Sequence, residues 1–456
     1  MERPAMPPAK IIESVAAVFC YQGEIFALRR QPYLQAFPGY ESFPGGKIDR
    51  DDPDLPHPSP LLREWDGKRM HALVREVREE LGYDLPAGIA SGQVKAVHYL
   101  AKALAPPVVA ARFFLHVFRI DLETRPVFSA DPGEIADCFW KTPRQLLDSF
   151  ERGDALMVPP LRWVLQALER DPQGVAFGDL SPRFDEDRFV ISFEQLSDVR
   201  ILPVPSNTFP PVKRTNAFLL GDPGAPRILV DPSPESPQVL EKLLRTLEPE
   251  TLSALFLTHH HHDHHEHVPQ LARRLGVPVW MSDDTRERIL KKYGSDYFTE
   301  VRLEIRREGD ELTRWKGETV RVFEIPGHDA GQLALAPESL RWFLVGDLIQ
   351  GAGTVVIAAP EGDMAAYFGT LERIIALDPA VILPSHGAPM RGTHRLRETL
   401  RHRREREEAI HRLFVSGKTK AEILDTVYQG VDQQLLPFAL LNIESHLVKL
   451  RREGRI

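Results

Sequence analysis

The residues Thr258-His259-His260-His261-His262-Asp263-His264 contain the pattern HxHxDH, directly after the apolar stretch 254–257. Alternate side chains of an extended chain point to one side, so His259 and His261 are placed to bind the same metal ion. Asp263 and His264 then turn towards a second metal. A solvated polar loop or a tag-like histidine run is the alternative interpretation, but a tag would lie at a terminus.

Partners for this cluster occur further along the chain. His328 lies in IPGHDAG, Asp347 in FLVGDL and His386 in LPSHG, and each follows an apolar pattern typical of a strand. Loops that follow strands are the usual place for such sites. We therefore predict one metal centre, formed by His259, His261, Asp263, His264, His328, Asp347 and His386.

These motifs, with the strand and helix patterns around them, resemble the metallo-β-lactamase family over residues 195–393. The resemblance implies an αββα sandwich that holds two metal ions. It assigns the first metal to His259, His261 and His328, the second to Asp263, His264 and His386, and the bridging position to Asp347.

The chain departs from that family's pattern at two places. Asp231 matches a structural Asp near the site, but the usual Asp-x-Gly is here Asp-Pro-Ser. Most relatives have a small residue and two glycines after HxHxDH, so we expect a differently shaped loop here. We expect the other histidines to pack beside the ligands or to face solvent, namely His260, His262, His265 and His267.

The ligand types determine the chemistry that we expect. Ligation by His and Asp without Cys suits zinc, and the resemblance adds manganese and iron as alternatives. Two zinc ions that share a water molecule would lower its pKa towards neutrality and polarise the scissile bond. We assign Asp263 a catalytic as well as a ligating role. An ester, a thioester and a phosphodiester are all compatible substrates at this point.

A second motif is the stretch Arg75-Glu76-Val77-Arg78-Glu79-Glu80-Leu81-Gly82-Tyr83. On a helix Glu76, Glu79 and Glu80 share one face, and three adjacent negative charges make sense if a divalent cation binds there. The alternative is a surface helix rich in Glu and Arg. The stretch matches the second half of the Nudix box, REUxEExGU, and FPGGKID precedes it. This resemblance implies an α/β/α sandwich that binds Mg²⁺ or Mn²⁺ through these three residues, with Glu79 and Glu80 catalytic.

The first half of the box is altered. The usual Glu six residues after the second glycine is here Asp52, and an insertion beginning DPDLPHPSPLLREWD precedes Arg75. An insertion inside the box occurs in a Nudix branch that resembles the peroxisomal coenzyme A diphosphatases. The domain is therefore either a hydrolase of a nucleoside or coenzyme A diphosphate, or a nucleotide-sensing module that regulates its neighbour.

The last residues give three helical patterns with short turns, HRREREEAIHRLFVSG, TKAEILDTVYQG and PFALLNIESHLVKLRREGRI. They resemble the winged-helix domain of the mitochondrial β-lactamase-like endoribonuclease group and its bacterial relatives, whose substrate is single-stranded RNA. A winged helix can bind nucleic acid, cap an active-site cleft or form a dimer, and we expect a packing role. Four residues fall on one face of the last helix: Leu440, Ile443, Leu447 and Leu450.

Charge is distributed unevenly along the chain. The formal net charge is −8, while residues 391–456 hold 14 Lys and Arg against 9 Asp and Glu, which leaves −13 on the rest. A basic tail indicates a polyanion partner or, alternatively, a solvated helix face rich in Arg and Glu. Candidate phosphate contacts are Arg395, Arg401, Arg403, Arg404, Lys449, Arg451 and Arg452.

Composition limits the class of protein. A chain of 456 residues is long enough for two or three domains. Two cysteines, Cys20 and Cys138, exclude a disulfide framework and suit a reducing cytoplasm. The start lacks the pattern of a secretory leader, and no apolar run is long enough for a membrane span, so we expect a cytoplasmic protein without a membrane partner.

We therefore predict an α/β multidomain hydrolase. A Nudix domain occupies residues 1–180, a metallo-β-lactamase domain 195–393 and a winged-helix domain 394–456, and the polar stretch 171–189 is a linker. For the metal centre we favour a phosphodiester substrate such as single-stranded RNA. A thioester hydrolase of the glyoxalase II kind is the alternative.

Overall fold

The computed structural model of the chain describes residues 10–106, 111–208, 212–351 and 353–456. The chain divides into two compact units, residues 1–186 with 193–197 and residues 187–192 with 198–456. The expectation about a secretory leader concerns mainly residues 1–9, which lie outside the described residues.

The first unit is built on a mixed sheet whose strands run in the order β3-β2-β1-β5-β4-β7, with β6 paired to β2. Strand β1 alternates strictly, so Val15, Ala17 and Phe19 pack into one core cluster while Ala16 and Val18 pack into another. Both faces of the sheet are therefore buried. The strands of this unit are β1 (Lys10–Tyr21), β2 (Glu24–Arg30), β3 (Glu41–Ser42), β4 (Val94–Leu104), β5 (Ala111–Leu122), β6 (Ile135–Lys141), β7 (Gly178–Asp179) and β8 (Phe193–Leu196).

Helices cover the two faces of that sheet, which confirms the α/β/α expectation. Helix α1 (Gly67–Leu81) begins at Asp66, whose side chain accepts a hydrogen bond from the Arg69 N–H, and it ends at Gly82 with a φ of 59°. Its apolar face packs into the cluster of Val15. The opposite cluster contains residues of α3 (Pro143–Glu151) and α4 (Pro159–Arg170), and the remaining helix is α2 (Leu85–Ala90).

The second unit contains two further sheets. Its first sheet has the order β14-β13-β12-β11-β10-β9 and its second the order β15-β16-β17-β18-β19-β20. The strands are β9 (Val199–Pro205), β10 (Arg214–Leu220), β11 (Ile228–Val230), β12 (Ala254–Phe256), β13 (Val279–Met281), β14 (Leu303–Ile305), β15 (Glu311–Trp315), β16 (Glu318–Glu324), β17 (Leu333–Pro337), β18 (Phe343–Gly346), β19 (Val381–Pro384) and β20 (Met390–Arg391).

Helices flank these two sheets and complete the predicted αββα arrangement. The core of the first sheet contains residues of α5 (Pro237–Leu247), α7 (Val268–Leu275) and α8 (Asp283–Tyr293). The core of the second contains residues of α9 (Met364–Leu377) and the start of α10 (His394–Val415). The short helix α6 (His262–His265) belongs to the histidine cluster itself.

The C-terminal residues are helical, as predicted from the three patterns. After α10 come α11 (Lys420–Val427), a 3-10 turn at Gln433–Leu435 and α12 (Leu436–Arg452). On the predicted apolar face of α12, Ile443, Leu447 and Leu450 are fully buried and form a small core with Ile410 and Ile423. This small core is the physical basis of the C-terminal domain.

The predicted linker 171–189 is wrong at its centre, because Gly178–Asp179 forms strand β7 and pairs in parallel with β4. Two residues, one of them a glycine with a φ of 73°, give no alternation that a sequence pattern could detect. Across the described part of the chain, no helix has both the length and the apolar character that a bilayer crossing requires.

Candidate functional site

The histidine cluster is anchored by a buried carboxylate at the end of the neighbouring parallel strand. Asp231 directly follows β11, and its two carboxylate oxygens accept hydrogen bonds from the N–H and the Oγ1 of Thr258, at 2.8 and 2.7 Å. The same carboxylate lies 2.9 Å from Nδ1 of His264. Asp231 is 1% exposed, so it fixes both ends of the HxHxDH turn from within the core. Its role is thus positional, and Asp-Pro-Ser serves it as well as Asp-x-Gly.

Three histidines converge on one point, as predicted for the first metal. Nδ1 of His261 lies 3.0 Å from Nε2 of His259 and 3.0 Å from Nε2 of His328. The outer nitrogens of two of them are held by oxygen atoms, since Nδ1 of His259 is 3.0 Å from Thr258 Oγ1 and Nδ1 of His328 is 2.9 Å from the Val356 carbonyl. Such outer contacts select the tautomer whose free nitrogen faces an ion.

A second group lies beside the first. Nε2 of His386 is 3.4 Å from Oδ2 of Asp263, and the ligand atoms of Asp263, His264 and His386 all lie within 4.8 Å of one another. Nδ1 of His386 is 3.0 Å from the Arg214 carbonyl, which leaves Nε2 facing the group. Asp263 and His264 lie on the short helix α6 and His386 follows β19, so a helix and a loop form the group.

Asp347 lies between the two groups. Its Oδ1 is 3.4 Å from Nε2 of His386 and 3.7 Å from Nε2 of His264, and its Oδ2 is 4.0 Å from Nε2 of His328. A carboxylate with one oxygen directed at each group has the geometry of a bridging ligand. The structure therefore brings together all seven predicted residues of the centre.

The residues present fit two divalent cations. Nε2 of His264, Nε2 of His386 and Oδ1 of Asp347 are buried and have no hydrogen-bond partner within the described structure. Burial opposes protonation of His386, but the nearby Asp347 and Asp263 carboxylates raise its pKa to about 10. The same carboxylates would be satisfied by a bound cation, which would displace that proton.

Two acidic residues near the centre were missed by the sequence analysis. Glu361 lies 3.2 Å from Nε2 of His261, the nitrogen that points away from the first group, and 3.2 Å from Nε2 of His260. Asp329 forms an ion pair with the other nitrogen of His260. Burial lowers the pKa of His260, but these two carboxylates outweigh it and raise the pKa to about 9. Asp329 follows His328 directly, whereas no sequence signal marks Glu361.

The other extra histidines pack around the turn or face solvent, as expected. His265 is buried, and its ring nitrogens contact the Tyr297 hydroxyl at 2.8 Å and the His260 carbonyl at 3.0 Å. His262 is partly exposed, and His267 has a φ of 57° at the start of α7. Where relatives have glycines, Glu266 accepts a hydrogen bond of 2.7 Å from Asn207.

In the first unit the three predicted carboxylates lie on one face of α1. Glu80 is 4% exposed and accepts a 2.7 Å hydrogen bond from the Gly45 N–H, and burial raises its pKa to about 8. Burial also raises the pKa of Glu76, while Glu79 is largely exposed. A Cβ at Gly45 would overlap the Val15 backbone, and Gly45 has a φ of 144°, so this glycine is required for the loop that brings its N–H to Glu80.

Asp52, the altered position of the box, lies beside Arg75. Its carboxylate accepts two hydrogen bonds from the guanidinium, 2.9 Å from Nε and 3.0 Å from Nη2, while Nη1 of Arg75 reaches Glu76 at 2.7 Å. Burial works to raise the pKa of Asp52, but Arg75 and the Asp49 N–H outweigh it and the pKa is lowered. Asp52 thus positions the first residue of REVREE, a task that the shorter side chain still performs.

This arrangement predicts a positional role for Asp52. Replacing Asp52 by Asn is expected to lower the free energy of unfolding of the first unit by about 1–3 kcal/mol, because it removes the charge from a largely buried ion pair. Urea unfolding measures this change. Asp51→Asn is the matched control because Asp51 is exposed, and equal stability of the two variants would contradict the assignment.

The C-terminal helices hold the segment that positions His328. Asn442 of α12 accepts hydrogen bonds of 3.0 Å from the Ile357 N–H and 2.9 Å from Nη1 of Arg403. Nη2 of Arg403 donates to the Val355 carbonyl. The residue between them, Val356, supplies the carbonyl beside His328. The C-terminal domain therefore packs against the centre, as the packing interpretation expects.

Asn442→Ala is accordingly expected to act at a distance. It leaves the Ile357 N–H and Arg403 without their buried acceptor, at a cost of about 1–3 kcal/mol in the free energy of unfolding. We expect weaker metal binding as well, because the Val356 carbonyl is no longer held. Metal affinity can be measured by competition with a chelating dye. Glu444→Gln on the exposed side of α12 is the control, and wild-type affinity in Asn442→Ala would contradict this link.

Most of the candidate phosphate contacts in the tail are already paired with carboxylates. Lys449 is 9% exposed and lies 2.7 Å from Glu407 and 2.8 Å from Glu453, so it is not available to a ligand. Exposed ion pairs occupy four others, which are Arg395 with Glu398, Arg401 with Glu405, Arg404 with Glu372 and Arg452 with Asp363. The solvated-face interpretation therefore explains much of the tail's charge. Among the described residues the two exceptions are Arg403, which is buried, and Arg451, whose guanidinium lies 5.8 Å from the centroid of the Phe414 ring.

Three protein families match this chain, one in the first unit and two in the second. Residues 210–386 match the metallo-beta-lactamase superfamily, residues 12–164 the NUDIX domain and residues 419–456 the beta-lactamase associated winged helix domain. A beta-lactamase-like protein 2 homolog of Drosophila melanogaster is 30% identical over 254 residues, which cover 53% of this chain and 84% of that protein. The chain belongs to the metallo-β-lactamase superfamily, as a hydrolase that also carries a Nudix domain and a winged helix.

Two further relatives are named as a thioesterase and as a hydroxyacylglutathione hydrolase. The atrochrysone carboxyl ACP thioesterase AgnL7 of Paecilomyces divaricatus is 27% identical over 279 residues, 58% of this chain and 83% of that protein. A hydroxyacylglutathione hydrolase of Wigglesworthia glossinidia brevipalpis is 32% identical over 130 residues, 28% of this chain and 45% of that protein.

Proposed function

We propose that the centre of the second unit holds two zinc ions and hydrolyses a phosphodiester such as single-stranded RNA. The observation that carries the proposal is the position of Asp347, with one oxygen towards each of two converging ligand groups. His259, His261 and His328 would hold one ion, and Asp263, His264 and His386 the other. Two ions bound there would activate water at neutral pH and stabilise negative charge on the substrate.

The chain's own residues prepare this chemistry by fixing orientation. Asp231 and Thr258 orient His264 and His259 through buried hydrogen bonds. Glu361 and the Val356 carbonyl do the same for His261 and His328. Because each outer nitrogen is held, the ligands need little rearrangement when the ions bind, which favours tight binding.

A phosphodiester is preferred because α10 carries arginines that line a cavity next to Asp347. Arg395 and Arg403 line this cavity together with Gln350, whose Nε2 lies 3.4 Å from Oδ2 of Asp347. The match to a winged-helix domain and the resemblance to the endoribonuclease group support the same choice. The names of two relatives favour the second candidate, a thioester such as an acyl-glutathione or acyl carrier protein conjugate.

For the first unit we propose a Mg²⁺- or Mn²⁺-dependent diphosphatase that acts on a nucleoside or coenzyme A diphosphate. Glu76, Glu79 and Glu80 would hold the ion, and the ion pair of Asp52 with Arg75 keeps the helix start in place. A nucleotide-sensing module remains the alternative. We also propose three domains, with the limits 1–180, 195–393 and 394–456. A reducing cytoplasm is the proposed location, and the free thiols of Cys20 and Cys138 are compatible with it.

A substrate panel tests the choice between the two candidates. Zinc-loaded full-length protein is incubated with a fluorescent single-stranded RNA, with a hydroxyacylglutathione and with an acyl pantetheine thioester. We expect RNA cleavage that a chelator stops and added zinc restores. Turnover of a thioester with intact RNA would replace the phosphodiester proposal by the thioester one.

A further inference from the structure

A cavity of about 290 Å³ lies between helix α10 and the segments that follow Asp347. Three of its lining residues are arginines, Arg395, Arg403 and Arg406, which recur along α10 at spacings that place them on one face. Gln350 also lines the cavity, and its Nε2 is 3.4 Å from Oδ2 of Asp347. The cavity therefore adjoins the candidate metal centre.

Arg403 is a buried cation that has no carboxylate partner among the described residues. Its side chain is 2% exposed, and its guanidinium donates to Asn442 Oδ1 at 2.9 Å, to Thr354 Oγ1 at 3.4 Å and to the Val355 carbonyl. None of these acceptors carries a charge. Arginine stays protonated in proteins, and a buried charge without a counterion is destabilising. An anion in the cavity would offset that cost.

Arg406 adds a second cation of the same kind. It is half-buried and lies with its guanidinium 4.6 Å from the ring centroid of Tyr428, and no ion pair joins it to a carboxylate within the described residues. The one acidic residue of the lining, Glu398, is engaged 3.0 Å from Arg395. The cavity thus has an excess of positive charge, although ion pairs neutralise arginines on other faces of the helix, such as Arg397 with Asp378.

We propose that this cavity binds a phosphate group of the substrate strand, adjacent to the phosphodiester that is cleaved. The inference rests on the proposed phosphodiester substrate and goes beyond it by naming the subsite. Its volume is at the lower end of the range for small-molecule sites, so it suits one phosphate with its sugar. Guanidinium groups bind phosphate through paired N–H donors.

The test compares uridine 5′-monophosphate with uridine, because a mononucleotide contains no phosphodiester that the enzyme can cleave. Titration calorimetry on zinc-loaded full-length protein gives both affinities. We expect the phosphate to strengthen binding at least about tenfold, as charge-assisted hydrogen bonds do. The ratio of the uridine Kd to the uridine 5′-monophosphate Kd should fall to about one or two in Arg406→Ala. In the control Arg397→Ala this ratio should keep its wild-type value.

Melting temperature and zinc content establish that Arg406→Ala is folded and loaded. A ratio near one in the wild type, or the same ratio in Arg406→Ala, would overturn the proposal and place the nucleotide elsewhere. Inorganic phosphate that binds as tightly as the nucleotide, with RNA affinity unchanged in Arg406→Ala, would indicate a free-anion site and overturn the substrate role. If no variant cleaves RNA, the proposed function fails, and the nucleotide ratio still decides what the cavity binds.

Discussion

Replacing Asp347 by Asn is expected to reduce zinc-dependent hydrolysis by at least about a thousandfold, because metal ions supply several kcal/mol of transition-state stabilisation. Of the carboxylates in the described ranges, Asp347 is the one that faces both ligand groups, 3.4 Å from His386 and 4.0 Å from His328. An amide keeps the shape but loses the negative charge that holds two cations together. We expect the metal content to fall from two ions per chain towards one.

Elemental analysis of purified protein, combined with kcat/KM for the best substrate of the panel, measures both effects. His262→Ala is the control, since His262 is a histidine of the same cluster that lies partly exposed beside Glu266 and outside the two groups. The bridging role of Asp347 would be wrong if Asp347→Asn kept two ions and full activity. It would also be wrong if His262→Ala lost as much as Asp347→Asn.

The ligand residues of this centre could be predicted because each follows a recognisable apolar strand. Buried parallel strands end at the same edge of a sheet, so Asp231 at the end of β11 and the cluster after β12 had to meet. His386 at the end of β19 lies beside Asp347 at the end of β18 for the same reason. Local sequence pattern and sheet topology were therefore sufficient to predict which ligand residues lie close together.

The residues that orient those ligands could not be predicted in this way. Glu361 is 100 positions from His261, and Asn442 is 85 positions from Ile357, and neither is part of a local motif. Their roles depend on a tertiary contact between a loop and a helix. Such contacts leave no periodic trace in one sequence.

Charge in the tail illustrates a related limit. A count of Lys and Arg predicts a basic segment, but it does not tell which cations are neutralised. Lys449 has the pattern of a surface residue in a basic terminus but is buried against Glu407. Arg403 and Arg404 are equivalent by sequence, yet Arg404 pairs with Glu372 while Arg403 pairs with no carboxylate in the described part of the chain. Helix spacing alone predicts that Arg403 and Arg406 share a face of α10 that does not include Arg404. It does not predict that this face is buried.

Glu79→Gln is expected to lower the proposed Mg²⁺-dependent diphosphatase activity of the first unit by at least about a hundredfold, because this is the usual effect of losing a carboxylate with the catalytic role proposed for Glu79. Glu79 is the most exposed of the three carboxylates, and its ion pair with Arg75, at 3.1 Å, lies at the surface where a diphosphate and its ion can replace it, while Glu80 is tied to the Gly45 N–H. The zinc-dependent activity should be unchanged, because its ligands all belong to the other unit.

Both activities are measured on the same preparations, one with Mg²⁺ and a panel of nucleoside and coenzyme A diphosphates, the other with zinc and RNA. Glu64→Gln is the control, an exposed Glu of the insertion outside α1. A loss of both activities would mean that the units are coupled. If Glu79→Gln leaves diphosphate hydrolysis as it was, or if the wild type binds a diphosphate without cleaving it, the first unit is not a diphosphatase. In the second case the sensing role takes its place, because a box that positions an ion but performs no hydrolysis can still report on a nucleotide.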